Sequence, residues 1–384
     1  MTRRLPEKSS QSPLRISLYP RARLILKLHF LSPASRSIVA MYRCRKPTGN
    51  ELATWLSVLI LTASWASHVA AQDSKLEYVS KVRGHKVRVL ESVLKDSKRS
   101  KELGIRINFP EEQGSYPLII WSHGMYGSKD NYQPLVEYWT SRGYVVIQPT
   151  HSDSLSLMKP QERRQLLREF NLDKTEDWMN RPRDVQFTLD SLATLEQQFP
   201  DLAGKMDSKR IGIGGHSFGA VTAQLLAGTT PRLPSGGGSL AEPRARAFIA
   251  ISPNGLGVFF SKDSFAEVKQ PMLYLSGDND KGRRGEEAVW RRDAFDHAQA
   301  GNKTLVWIRD AHHNFGGISG SPPLLSRLIG GQGGDKNDLQ LKLVQVSTLV
   351  FWDAFLKDDQ DAQAYLAGYK LSDYGQSQLK LERK

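Results

Sequence analysis

Ser217, at the centre of Gly215-His216-Ser217-Phe218-Gly219, is the residue of this chain best placed to act as a nucleophile. An apolar run, Arg210-Ile211-Gly212-Ile213-Gly214, leads into it, and Ala220 to Ala227 follows with helical character. The serine therefore falls on a strand-to-helix corner too tight for side chains at Gly215 and Gly219, which would lift its hydroxyl at the sheet's C-terminal edge. A serine hydroxyl is a poor nucleophile at neutral pH. It needs a base, an acid to orient that base, and donors for the negative oxygen that forms during attack.

The chain offers all three. Lys303 to Ile308 reads as a strand and ends in Ala311-His312-His313-Asn314-Phe315, so two adjacent histidines, pointing in different directions, are candidates for the base. Pro271 to Ser276 is another strand pattern, and it runs into Gly277-Asp278-Asn279-Asp280. The acid is expected at Asp280, three residues after the glycine, with Asp278 as a turn-former whose side chain bonds its own backbone. The donors come earlier, where Pro117 to Trp121 leads into Ser122-His123-Gly124-Met125-Tyr126-Gly127. The amides of Met125 and Phe218 would face the oxyanion. His123 reads as a brace for that loop, because the base is expected after the nucleophile in the chain.

The order Ser217, Asp280, His312 or His313 is that of an α/β-hydrolase. From about Leu118 to about Leu356 the chain resembles the branch of serine α/β-hydrolases that includes plasma-type platelet-activating factor acetylhydrolases, dienelactone-hydrolase-like proteins and cutinase-like polyester hydrolases. The residues that carry the resemblance are Trp121-Ser122-His123-Gly124, Arg142-Gly143-Tyr144-Val145-Val146, Gly215 to Gly219, Gly277 to Asp280, and His312-His313-Asn314-Phe315. It implies that the histidine three places before the phenylalanine, His312, is the base, with His313 as the alternative. Departures limit it. Serine stands where dienelactone hydrolases have cysteine, and Ala250-Ile251-Ser252-Pro253-Asn254 lacks the carboxylate that the acetylhydrolases carry there, which leaves the acid to the Gly277 loop. Met125 replaces the aromatic oxyanion residue of polyester hydrolases, and no late cysteine is present for their disulfide.

These residues require a particular frame. Strand patterns alternating with helical ones from Leu118 onward imply an α/β-hydrolase fold, a mostly parallel central sheet with helices on both faces. Leu76 to Val82, His85 to Leu90 and Gly104 to Phe109 are expected to open the sheet as antiparallel strands. The polar, charged segment 151–181 is expected to be a small lid insertion, with His151 and Trp178 as candidates for the substrate wall. Glycine-rich loops at 232–239 and 330–334 are candidates for shaping access, and Val344 to Leu356 reads as a closing helix.

The N-terminal 71 residues are set apart. Glu51 to Ala66 is an apolar run, preceded by Arg43, Arg45 and Lys46 and followed by Val69-Ala70-Ala71, small residues that suit a cleavage site. Residues 41–71 thus read as a signal peptide beginning at Met41, residues 1–40 as a mis-assigned start or long leader, and 72–384 as a single catalytic domain with no stable membrane span after cleavage. Of the formal net charge of +13, the leader carries 11 Lys+Arg against 2 Asp+Glu. The basicity therefore does not indicate a nucleic-acid surface. The only cysteine, Cys44, lies in the leader, and there is no Cys/His cluster at zinc spacing. The expectation is an exported serine hydrolase acting on a small-molecule or lipid carboxylic ester through an acyl-enzyme, with no metal or cofactor. The alternatives are a phospholipid acyl hydrolase, a peptidase or an acyltransferase with the same triad, and a non-catalytic binding protein of the same fold.

Overall fold

Apolar residues run without interruption through the central strand segments, Leu118-Ile119-Ile120-Trp121 being fully buried, as a parallel sheet covered on both faces demands. In the computed structural model the described residues are 23–25, 41–43, 84–168, 175–232, 238–257, 259–320 and 337–384, the side chains of 23–25, 41–43, 165–168 and 175–178 excepted. Contacts divide the chain into Met1–Ser74 and Lys75–Lys384. In the first unit, Arg23–Ile25 pairs antiparallel with Met41–Arg43. The remainder of the leader, the strand expected at Leu76 to Val82, the 330–334 loop, most of the 232–239 loop and the Trp178 side chain lie outside the described residues.

Among the described residues the second unit holds nine strands: β1 (Val87–Asp96), β2 (Lys101–Pro110), β3 (Tyr116–Ser122), β4 (Val145–Pro149), β5 (Met206–His216), β6 (Ala245–Ile251), β7 (Met272–Asn279), β8 (Lys303–His312) and β9 (Leu379–Arg383). Their order across the sheet is β1-β2-β4-β3-β5-β6-β7-β8-β9, with β4 through β8 parallel to their neighbours and antiparallel pairs at both ends. This is the α/β-hydrolase fold. The first hairpin differs from expectation: β1 runs to Asp96, where the turn is closed by the Asp96 carboxylate accepting the Arg99 amide at 3.2 Å. The terminal strand β9 was not anticipated, although Leu379 and Leu381 are buried and Lys380 between them is exposed.

Five of the described helices are α1 (Gln133–Thr140), α2 (Pro160–Arg168), α3 (Thr175–Asp190), α4 (Phe218–Leu226) and α5 (Asp338–Leu356). Alternate strand residues feed two cores. Leu118, Ile120, Ile213 and Phe248 pack with Val185 of α3 and Val221 and Leu225 of α4 on one face. Ile119, Trp121 and Ile249 pack with Trp139 of α1 and Phe351 and Trp352 of α5 on the other. Helix α5 is the expected closing helix. It starts earlier, where the Asn337 side chain caps it by accepting from the Gln340 amide. It alone among the described helices is long and apolar enough to cross a membrane, and most of it is buried in this fold.

Candidate active site

Strand β5 ends at His216 and helix α4 starts at Phe218, so Ser217 alone makes the corner, with φ 57° and ψ −116°. A side chain is strained there, and neighbouring backbone leaves no alternative. A Cβ on Gly215 would lie 2.2 Å from Gly219 O, and one on Gly219 would lie 2.0 Å from Ser122 O. Only glycine fits at both positions. The Ser217 amide is anchored to Ile251 O at 2.9 Å, and the residue lines an open pocket beside Met125 and Phe218.

The ring that reaches Ser217 belongs to His313. Its Nε2 lies 3.0 Å from Ser217 Oγ, and its Nδ1 lies 2.7 Å from Asp280 Oδ1. His312, the expected base, is the last residue of β8, where it pairs with Asn279 of β7; its Nε2 lies 3.5 Å from Asn279 Nδ2, and its Nδ1 has no hydrogen-bond partner. The cause is local. Between Ile308 and His312 the register of β8 against β7 shifts, with Asp310 in the left-handed region at φ 54°. The bulge turns the strand end so that the first residue after the strand, His313, faces Ser217.

Asp280 is fully buried. Besides His313 it accepts from Ser252 Oγ at 2.5 Å and Ser276 Oγ at 2.8 Å, and it pairs with Arg291 Nε at 3.1 Å. Burial by itself would push this carboxyl up, but the charge of Arg291 and the bonds from His313 and Ser252 hold it well below the usual carboxylate range. Arg291 also donates to the carbonyls of Asp280, Ser252, Pro253 and Lys281, which ties the acid loop to the end of β6. Asp278 is not the local turn-former expected of it: its carboxylate reaches across to β8, accepting from Trp307 Nε1 at 2.7 Å and the Asp310 amide at 3.0 Å.

On the opposite side of Ser217, the loop after β3 is tied amide by amide. Gly124 donates to Tyr132 Oη at 3.0 Å, Tyr126 to Asp153 Oδ2 at 3.1 Å, and Gly127 to Gly124 O at 3.1 Å. The Met125 amide donates to no described residue, and Met125 lines the pocket. His123 is a brace as expected: its Nδ1 is 2.7 Å from Gly124 O, and its Nε2 accepts the His151 amide at 3.0 Å. Burial and the adjacent Arg181 charge push its pKa well down, so the ring is neutral. His216 is neutral for the same first reason. The Tyr132 hydroxyl, 2.9 Å from His216 Nδ1, and His216 Nε2, 2.8 Å from His313 O, continue the link from Gly124 to the histidine loop.

The segment 151–181 corrects an expectation. His151 is not a substrate wall. It is fully buried, with Nε2 2.9 Å from Ser122 Oγ and Nδ1 3.0 Å from Asp184 Oδ2. Arg181 and Asp153 are buried beside it as an ion pair at 2.7 Å. No described residue of this segment lines the pocket. Its walls are Met125, Phe218, Val221, Leu256, Phe259 and Trp290, with Arg283, Arg284 and Glu286 among them. The sequence reading missed Ser252, Arg291, Tyr132, Asp153 and Arg181. Nothing in spacing singles them out, because each acts through folding contacts. Among the described residues no group of acidic, histidine or cysteine side chains is arranged to hold a metal ion.

Two comparisons with known proteins bear on the family. Residues 77–234 match the Chlorophyllase family model. Over 287 residues the chain is 21% identical to platelet-activating factor acetylhydrolase of Cavia porcellus, a match covering 66% of this chain and 61% of the relative, so it spans somewhat under two thirds of that protein's length. The chain has the α/β-hydrolase fold and is similar to the acetylhydrolase branch that its motifs resemble.

Proposed function

We propose that this protein is a serine ester hydrolase in which Ser217 attacks the acyl carbon, His313 takes and returns the proton, and Asp280 holds the imidazole. The observation that carries the reading is the convergence of Ser217, His313 and Asp280 at 3.0 and 2.7 Å on the wall of an open pocket. With Nδ1–H donated to the buried carboxylate, His313 presents an unprotonated Nε2 to the serine hydroxyl. As the C–O bond forms, charge collects on the carbonyl oxygen, where the amides of Met125 and Phe218 receive it. His313 then protonates the departing alcohol. The same histidine activates water, which releases the acid from the acyl-enzyme.

The pocket walls favour an ester with an apolar acyl or alcohol group, either small-molecule or lipid. Export is part of the proposal. It is supported by the basic residues Arg43, Arg45 and Lys46, the apolar run Glu51 to Ala66 and the small residues before Gln72; a mature N-terminus near Gln72 in protein recovered outside the cytoplasm tests it.

A fluorophosphonate probe tests the chemistry. The folded wild type is expected to be labelled and Ser217→Ala is not; a folded wild type that stays unlabelled overturns the reading. Release of p-nitrophenol from acyl esters of increasing length then measures the depth of the apolar pocket.

A further inference from the structure

We propose that Arg181 is a positioning residue for the oxyanion site, acting by locking the peptide between Gly124 and Met125 in one orientation. The inference rests on the assignment of the Met125 amide to the oxyanion. In a trans peptide the carbonyl and the N–H of one unit point in opposite directions. Whatever holds Gly124 O on one side therefore aims the Met125 N–H at the other.

Gly124 O is held by three donors: His123 Nδ1 at 2.7 Å, the Gly127 amide at 3.1 Å and Arg181 Nη2 at 3.3 Å. Arg181 adds a second grip on the preceding carbonyl, His123 O, through Nη1 at 2.6 Å. It is fixed in turn by Asp153, whose Oδ1 accepts Nε at 3.0 Å and whose Oδ2 accepts Nη2 at 2.7 Å. The same Asp153 Oδ2 takes the Tyr126 amide, so one ion pair clamps the peptides on either side of Met125. Arg181 is 1% exposed. Its guanidinium carbon also lies 4.2 Å from the centre of the Phe218 ring, the residue expected to supply the other oxyanion amide.

A buried cation here does more than pack. Its charge on Gly124 O polarises the peptide and makes the Met125 N–H a stronger donor, in a setting of low dielectric where such effects are largest. A glycine at 124 turns easily about its backbone, so the orientation has to be imposed from outside. Helix α3 provides that by delivering Arg181 beneath the loop.

The test is Arg181→Met combined with Asp153→Asn, so that no unpaired carboxylate remains buried, assayed on p-nitrophenyl butyrate together with the affinity of an aryl trifluoromethyl ketone, which forms an oxyanion on Ser217. After titration of active sites, kcat is expected to fall about 100-fold with KM within about 3-fold, and the ketone affinity to fall in step. A merely structural arginine would lower the melting temperature and leave kcat and ketone affinity of the folded sites within about 3-fold of wild type, which overturns the proposal. If the double variant does not fold, Arg181→Lys, which keeps the charge but lacks the fork that spans His123 O, Gly124 O and Asp153, is expected to lose about 10-fold in kcat; wild-type kcat in that variant overturns the proposal as well. A wild type inactive on every ester and unlabelled by fluorophosphonate would instead overturn the hydrolase reading.

Discussion

Two Ser-His-Asp arrays lie among the described residues, and the first of them opens onto a pocket. In the first, Ser217, His313 and Asp280 are linked at 3.0 and 2.7 Å, with the His313 side chain 33% exposed. In the second, Ser122, His151 and Asp184 are linked at 2.9 and 3.0 Å, with every member fully buried. The hydrogen-bond lengths do not separate them. Two other properties do: Ser217 sits in a strained corner that lifts it out of the sheet, and it lines a pocket. Ser122 instead ends a regular strand, and its carbonyl is pressed against Gly219. Asp184, moreover, is shared with Arg99 and Lys101 at 2.7 Å each. The buried array is a strut joining the ends of β3 and β4 to helix α3.

The largest expected effect comes from exchanging the serines. Ser217→Ala is expected to lower kcat by about 10⁴-fold or more with the melting temperature unchanged. Ser122→Ala should leave kcat within about 10-fold while costing about 1–3 kcal/mol of stability, because His151 Nε2 loses its buried partner. Urea melts alongside ester kinetics measure both, and the reverse pattern would exchange the roles of the two arrays. The histidines come next. His313→Ala is expected to reduce kcat by about 10³-fold or more, and His312→Ala by less than about 5-fold. Equal losses in both would break the assignment made from geometry.

A pH titration of stability sharpens the contrast further. Burial would raise the Asp184 carboxyl, but the bond and charge of His151 and the charge of Lys101 hold it down, to about 2 from an ordinary value of 3.8. A carboxyl lowered in the folded state stabilises fully above its unfolded pKa, and that stabilisation is lost as pH falls through the folded pKa. Roughly 2 kcal/mol should therefore disappear between about pH 4 and pH 2. Urea midpoints from pH 5 to 2 are expected to fall less steeply in Asp184→Asn; an unaltered slope removes Asp184 from the strut. The smallest effect is expected for Tyr132→Phe, which takes the hydroxyl from between Gly124 N and His216 Nδ1. About 1 kcal/mol of stability and a few-fold loss in kcat are expected, and no change in either would mean that water replaces the link.

The open array was legible in the sequence and the buried one was not. Gly215 to Gly219, the Gly277 loop and the His123-Gly124 pair are spaced by demands of backbone geometry, and they are found where those demands put them. The choice between His312 and His313 was decided by a bulge, and the direction of a ring at a bulge depends on a dihedral at Asp310 that spacing does not encode. The strut was hidden for another reason. Arginine, aspartate and histidine are normally surface residues. The polar stretch 151–181 therefore reads as a small lid insertion, while part of it, His151, Asp153 and Arg181, is buried against the loop after β3. Strand β9 escaped notice because five residues of alternating character are a weak signal at the end of a chain.

The close approach of Gly219 to the Ser122 carbonyl has a consequence for transplanting this chemistry. A designer who copied the nucleophile, base and acid onto another sheet would obtain something nearer the inert strut, since three correctly bonded side chains are already present there. What has to be reproduced is an emptiness: two positions without Cβ atoms, between which the backbone can bend sharply enough to raise a hydroxyl into the open.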